Sequence, residues 1–341
     1  MKVLTVVIPA YNTELYIERC LDSLLYHSNI AEELELIVVN DGSSDKTAEI
    51  AAGYQKKYPG IVKVINKENG GHGSTVNAGV AEATGKYLRV IDSDDWVNIV
   101  DFPSYIEKLK DEKADIVVTN YIQDILYDET IHEFRFIKKN EISEITDLST
   151  IASLVKKKNF FFEFSMHSMA VKTENLKKVW GDGLLEKTFY VDQQYVAKAL
   201  SSAKNYIRYN LDIYRYFIGR PEQSVSAGGF FDHRRDHERV LKWLLKTTKE
   251  TKDETLSKVF TEQTYLMLKT HYDGIYLSVS KLSASEKKEL LDFDEYLAAN
   301  YPELRNKLKA AQHLSLRLSP LRKSRVLRGV AYVKRKRSKD D

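Results

Sequence analysis

Residues 36–57 read LIVVNDGSSDKTAEIAAGYQKK. The β-branched run Leu36–Val39 is the pattern of a buried strand, Asn40–Asp45 is a cluster of turn formers, and Asp45–Lys57 has helical spacing. The same alternation extends in both directions. Upstream, Val3–Ile8 is followed by Glu14–Tyr26. Downstream, the apolar runs Val62–Ile65, Leu88–Ile91 and Ile116–Thr119 are separated by Ser74–Ala83 and Phe102–Lys113. Strands alternating with helices predict an α/β fold, a mainly parallel sheet flanked by helices. Ligands of such sheets bind beyond the carboxyl ends of the strands. The polar clusters sit at those ends: Pro9–Asn12 after the first run, Asn40–Asp45 after the second, Asp92–Asp95 after the fourth.

Past residue 120 the pattern changes. Over Ile122–Ile137, His132, Phe134 and Phe136 alternate with Glu133 and Arg135, the period of an antiparallel strand. Helices are expected near Thr146–Lys157 and Asp192–Ser201. Arg215–Gly229, rich in Gly and Ser with one Pro, reads as a loop and hinge. After Phe231 a helical region is predicted to about Leu316, with Ser283 and Glu286 spaced as a capping box. The expected organisation is a first domain over 1–229, a helical C-terminal region over 230–313 and a basic tail over 314–341.

The chain has 341 residues, 43% hydrophobic and 30% charged, enough for a sizeable core and too apolar for a disordered polymer. A single cysteine, Cys20, cannot form an internal disulfide, and a reducing compartment is expected. Cys20 lies on the helical stripe Ile17, Cys20, Leu21, Leu24, Leu25, so it reads as a core side chain rather than a nucleophile. No apolar run approaches the roughly 18 residues that cross a bilayer. The opening MKVLTVVIPA is too short for a signal peptide and reads as a buried strand, so no secretion is expected. The net charge of +3 hides an asymmetry. From Leu304 onward lie 13 of the 52 basic residues and two of the 49 acidic ones, which leaves residues 1–303 with 39 basic and 47 acidic, a net of −8.

Several clusters have two readings each. Asp92-Ser93-Asp94-Asp95 is either a polar turn capping a helix after Trp96 or a set of carboxylates for Mg²⁺ or Mn²⁺. Asp41 is either turn chemistry or an acceptor for a base or ribose. Asp45 caps the following helix. Asn69-Gly70-Gly71-His72-Gly73-Ser74 is a glycine-rich loop before a helix, whose amides could cradle phosphate. It matches neither a P-loop nor a dinucleotide fingerprint. Asp192 is either the N-cap of Gln193–Ser201 or a general base. His167 is either a packed histidine or a polar group of a site.

Taken in order, Pro9-Ala10-Tyr11-Asn12, Asn40-Asp41-Gly42-Ser43-Ser44-Asp45 and Asp92-Ser93-Asp94 resemble the family-2 inverting glycosyltransferases, which have the GT-A fold. The resemblance covers about residues 3–120 and continues through Phe164–Leu176, Phe189–Leu200 and Tyr214–Ser226. It implies a GT-A domain over 1–229. It also implies that Pro9, Ala10, Tyr11, Asn12 and Asp41 line a nucleotide-base pocket, usually for a pyrimidine. Asn69 and Gly71 would lie by the nucleotide and sugar. Asp92 would face the ribose, and Asp94 would hold Mn²⁺ or Mg²⁺ on the diphosphate. Asp192 would deprotonate the acceptor; Val191 stands where many relatives carry Glu. Arg220, in Gly219–Ser224, would contact phosphate.

The resemblance therefore implies a metal-dependent inverting transferase. Its donor would be a nucleotide sugar, a UDP-sugar by expectation, and its acceptor a surface polysaccharide or glycolipid, saccharide or lipid-linked. The alternative is a non-catalytic nucleotide-sugar-binding protein. The tail, ending Lys334-Arg335-Lys336-Arg337-Ser338-Lys339, has no aromatic interleaving for nucleic acid. Adhesion to an anionic membrane surface through residues 314–341 is expected instead. The expected location is cytoplasmic, peripheral at the inner face of the membrane.

Overall fold

The structure, a computed structural model, describes residues 2–127, 130–136, 142–151, 164–219, 229–278 and 282–308. It divides into two compact units, Met1–Gln223 with Asp253–Leu256, and Ser224–Lys252 with Ser257–Asp341.

The first unit is built on a ten-stranded sheet. Its strands are β1 (Leu4–Ala10), β2 (Leu34–Asn40), β3 (Val62–Asn66), β4 (Tyr87–Val90), β5 (Trp96–Val97), β6 (Ile116–Tyr127), β7 (Thr130–Phe136), β8 (Ile142–Asp147), β9 (Met169–Lys172) and β10 (Asn205–Ile218). The order is β3-β2-β1-β4-β9-β6-β10-β5, with β7 on β6 and β8 on β10. β3, β2, β1 and β4 are mutually parallel, as are β6 and β10. β9 is antiparallel to both of its neighbours and joins the two parallel groups.

Side-chain alternation along the strands explains the layering. Leu4, Val6 and Ile8 of β1 and Leu34, Leu36 and Val38 of β2 share one core. Helix α1 (Ile17–Leu25) brings Ile17, Cys20, Leu21 and Leu24 to it, and α5 (Phe102–Asp111) brings Phe102, Tyr105, Ile106 and Leu109. Each buried Leu or Ile contributes about 1.5–3 kcal/mol. Cys20 is fully buried there, and burial holds its thiol well above the ordinary range. Val7 points to the opposite face. There Gly79 of α4 (His72–Glu82) lies so close that a Cβ would stand 2.2 Å from Val7 Cγ1. The short α2 (Ser28–Ala31) and α3 (Thr47–Lys57) complete the early connections, followed later by α6 (Thr173–Val179) and α7 (Asp192–Ser201).

The second unit is helical among its described residues: α8 (Gly229–Asp232), α9 (Arg234–Glu250), α10 (Glu254–Ser278), α11 (Ala284–Asn300) and α12 (Pro302–Lys307). The capping box of Ser283 and Glu286 starts α11. Its core includes His237 and His271, stacked at 5.2 Å and both buried.

Three expectations are corrected. Thr146 and Asp147 end strand β8, and Asp147 then accepts from Ser149 N at 2.7 Å to start a 3-10 turn over Leu148–Thr150. The rest of that predicted helix, 152–157, lies outside the described residues. Arg215–Ile218 belongs to β10, because Tyr216, Phe217 and Ile218 pair in register with Gln123, Asp124 and Ile125 of β6. Arg220 and the remainder of that predicted loop to residue 228 lie outside the described residues, and helix α8 begins at Gly229. Asp92–Asp95 is a turn, closed by Asp95 N to Asp92 O at 3.0 Å, and it leads into strand β5 rather than a helix. The tail from 309 onward also lies outside the described residues.

Candidate active site

The turns after β1 and β2 are laced to each other. Asn12 takes a left-handed φ of 50°, a conformation Asn tolerates better than most residues. Its N–H donates to Ser43 Oγ at 3.0 Å, and its side-chain oxygen accepts from Ser44 N at 2.9 Å. Asp45 accepts from Thr47 N at 3.0 Å and from Glu14 N at 3.0 Å; the N-cap of α3 is Lys46, so the capping reading of Asp45 is corrected. These bonds fix Pro9, Ala10, Tyr11 and Asn12 beside Asn40–Asp45. Tyr11 is half exposed, with its ring open to solvent.

Asp41 is buried, and both of its oxygens are engaged by the chain. Oδ1 accepts from Lys67 Nζ at 2.8 Å and Gly70 N at 2.9 Å, and Oδ2 accepts from Gly71 N at 2.7 Å. The amides read from sequence as a phosphate cradle therefore point at a carboxylate of the protein itself. The glycines have a second cause. Gly71 caps α4 at φ 81°, and a Cβ there would meet Lys187 N at 3.1 Å. A Cβ on Gly73 would stand 2.2 Å from Leu185 O. The segment before α7 thus lies directly on the glycine loop, joined by Lys187 N to Gly70 O at 2.6 Å.

The Asp92–Asp95 turn stands at the end of β4. Asp95 is fully buried, bonded by the Tyr214 hydroxyl and by Phe217 N at 2.7 Å. Burial, then the charges of Asp94 and Asp92, pushes its carboxyl well above the ordinary range. Arg19 sits over the Trp96 ring at 3.6 Å and donates to the Asp94 carbonyl at 3.1 Å. Asp92 Oδ1 is 2.8 Å from His72 Nε2. Burial opposes a charge on His72, yet Asp92, with Asp192 and Asp94 behind it, holds its pKa above the usual histidine value. For His167 burial wins over the same Asp92 and Asp192 charges, and its pKa lies below the usual value. Its ring packs on Tyr214 at 4.9 Å and Tyr216 at 4.8 Å, and Tyr216 in turn feels Asp95, Asp92, Asp94 and Asp192. Asp92, Asp94 and Asp192 therefore act on one set of neighbours. Asp192 is the first residue of α7, whose N-cap is Val191, so the capping reading of Asp192 is corrected. Its carboxylate accepts from Gln193 Nε2 at 2.9 Å.

The model of the family described as Glycosyl transferase family 2 matches residues 5–170. Those residues are a family-2 glycosyltransferase domain. An uncharacterized glycosyltransferase, EpsJ of Bacillus subtilis (strain 168), is 38% identical over 113 residues, 33% of this chain and 32% of that protein. The poly(ribitol-phosphate) beta-glucosyltransferase of Bacillus spizizenii is 34% identical over 116 residues, 34% of this chain and 18% of that protein. The chain thus spans about a third or less of the length of these curated relatives. S. aureus TarS 1–349, solved in complex with UDP-GlcNAc, superposes with a TM-score of 0.67 at 21% identity, covering 92% of this chain and 87% of that one. That likeness establishes the fold of the family-2 domain as GT-A.

The donor set suits a divalent cation. Asp92 and Asp94 offer hard carboxylate oxygens of the type Mg²⁺ and Mn²⁺ take, whereas both oxygens of Asp95 are engaged by Tyr214 and Phe217. Among the described residues no three His, Cys, Asp or Glu side chains form a closed metal cage. A cleft of about 470 Å³ lined by Asp115, Lys172, Lys178 and Lys204 adjoins the starts of β6 and β10, away from the strand ends that carry these carboxylates. The site also contains residues that the sequence reading passed over. Arg89, fully buried on β4, donates to Thr119 Oγ1 at 3.1 Å and to the His167 carbonyl. Its signal was a lone charge inside the apolar run Leu88–Ile91.

Proposed function

We propose that the chain transfers a sugar from a UDP-sugar to a hydroxyl of a surface polysaccharide or glycolipid, with inversion at the anomeric carbon. The observation that carries this is geometric: at the strand ends of a family-2 domain Asp92 meets His72 at 2.8 Å, and the segment leading to Asp192 lies on the glycine loop before that histidine, joined by Lys187 N to Gly70 O at 2.6 Å. The UDP-GlcNAc complex of TarS supports a uridine donor, and the poly(ribitol-phosphate) beta-glucosyltransferase supports an envelope polymer as acceptor.

In this reading Pro9, Ala10, Tyr11, Asn12 and Asp41 form the base pocket, Asn69 and Gly71 shape the floor beside the sugar, and Asp92 faces the ribose. Asp192 removes the proton of the acceptor hydroxyl as that oxygen attacks the anomeric carbon. The carbon–oxygen bond to the diphosphate breaks, and its electron pair leaves with the nucleotide. A positioned base contributes about 10²–10⁴-fold. Mn²⁺ or Mg²⁺ held by Asp94 supplies charge neutralisation for the leaving diphosphate. His167 borders the acceptor side. Arg220 and the basic residues of 314–341 serve phosphate contact and an anionic membrane face. Among the described residues no helix is long and apolar enough to cross a membrane.

The test is release of nucleoside diphosphate from a panel of sugar nucleotides with Mn²⁺, Mg²⁺ or EDTA. Asp192→Asn is expected to bind donor and lose transfer; transfer at the wild-type rate would remove Asp192 from its role. Donor affinity without turnover, with crude membrane lipids as acceptor, would favour the binding-protein reading.

A further inference from the structure

Beyond its contact with the glycine loop, the segment that delivers Asp192 is fastened to α4 through Asn77. Asn77, one turn beyond Gly73 on α4, pairs reciprocally with the backbone of Leu184: Leu184 N donates to Asn77 Oδ1 at 2.8 Å, and Asn77 Nδ2 donates to Leu184 O at 3.0 Å. Gly183, at φ 75°, lets the chain approach so closely that a Cβ there would stand 2.4 Å from Asn77 Oδ1. The next residue, Leu185, donates its N–H to Gln194 Oε1 of α7 at 3.0 Å, closing the segment on the helix that begins with Asp192. Between these anchors Lys187 and Tyr190 adopt left-handed φ of 47° and 65°, conformations that cost non-glycine residues energy and persist only where their surroundings impose them.

We propose that Asn77 is a positioning residue, which sets the place of the Asp192 carboxylate by clamping Leu184 to the helix that begins at the glycine loop. This rests on Asp192 being the base of the proposed transfer. The side-chain amide offers a donor and an acceptor in one plane, one to the N–H and the other to the C=O of a single residue. With it removed, the Leu184 N–H and C=O lose these partners, and the strained stretch ahead of α7 loses one of the contacts that hold it. A base displaced by about 1 Å can cost on the order of 10²-fold. Donor contacts on the β1 and β2 turns are untouched by this change.

The experiment compares Asn77→Ala with the wild type in three readouts. Transfer is expected to fall at least tenfold, UDP affinity by calorimetry to change less than twofold, and hydrogen exchange to accelerate at Leu184 and Leu185 but not at Gly70 or Gly71. Gly183→Ala, which crowds the same clamp from the other side, is expected to reproduce the pattern. Unchanged exchange at Leu184 and Leu185 overturns the inference whatever the activity. So does UDP affinity that weakens as much as transfer, because Asn77 would then act on the donor. Transfer at the wild-type rate by Asp192→Asn would instead overturn the assignment of the base, with the clamp itself still read by exchange.

Discussion

Asp41→Asn tests whether this carboxylate organises the glycine loop. The aspartate receives one ammonium and two amide hydrogens at 2.7–2.9 Å while only 2% exposed. An asparagine can keep the Lys67 and Gly70 bonds through its oxygen, but its NH₂ then faces the Gly71 N–H, donor against donor. A hydrogen bond to a charged acceptor contributes about 1.5–3 kcal/mol, and an orphaned buried donor costs about 1–3 kcal/mol. Lys67, whose side chain is 26% exposed, can turn to water and recover part of its loss. The expected cost is about 2–4 kcal/mol, which for a domain of this size lowers Tm by roughly 4–16 °C. Calorimetric unfolding of the variant, with UDP titration at a temperature where it is folded, measures both consequences. Affinity should fall with stability, since Asn69 and Gly71 are carried by the same loop. The control Lys67→Met removes the cation and leaves both amides satisfied, so it should cost less. A Tm within about 1 °C of wild type for Asp41→Asn, or a larger loss for Lys67→Met, would refute the reasoning.

Four further outcomes are expected. Gly73→Ala puts a methyl into the Leu185 carbonyl, so it should cost about 1–3 kcal/mol and lower transfer, measured by thermal unfolding and product release. Burial holds His271 at a pKa of about 3, against 6.5 when unfolded, with Arg234 adding to the effect. The unfolded chain therefore binds the proton first, and stability is lost as pH falls below 6.5, by roughly 2–3 kcal/mol at pH 4.5. Melting of the helical unit between pH 7.5 and 4.5 checks this, and His271→Leu should reduce the slope to the part contributed by His237, which burial also holds well below the usual value. Donor turnover should cease in EDTA and in Asp94→Ala, and EDTA-treated wild type should recover on Mn²⁺ addition while the variant does not. Deleting residues 314–341 should abolish binding to anionic vesicles at low salt; retention of wild-type binding would remove the tail from that role.

Much of the fold is legible because β1 and β2 are buried on both faces, and Val3–Ile8, with Thr5 its one polar residue, and Leu36–Val39 carry that as apolar runs. The errors arose where a strong local signal masked a tertiary one. Arg215–Ile218 was read with the Gly, Pro and Ser that follow it, although its pairing with β6 decides its state. Asp147 announces a helix start correctly, but for a single 3-10 turn after a strand. At the site, the clusters at strand ends were visible because position along the chain fixes position in such a sheet. Partners were not visible. His72 meets Asp92 across 20 residues and Asn77 meets Leu184 across 107, and no local periodicity encodes either pair. The glycines at 71 and 73 have a structural cause that the sequence does not show, since a glycine that admits a ligand and one that admits another segment of the same chain look alike in sequence.

The burial of Cys20 has a practical side. It is the chain's one thiol, it sits at 0% exposure, and its environment disfavours the thiolate that alkylating and disulfide reagents require. The folded protein is therefore inert to such reagents without any cysteine having to be removed. A Glu186→Cys substitution, on the exposed turn between Leu185 and Lys187, creates a single labelling point. A spin or fluorescent probe placed there reports directly on whether the chain ahead of Asp192 moves when nucleotide arrives.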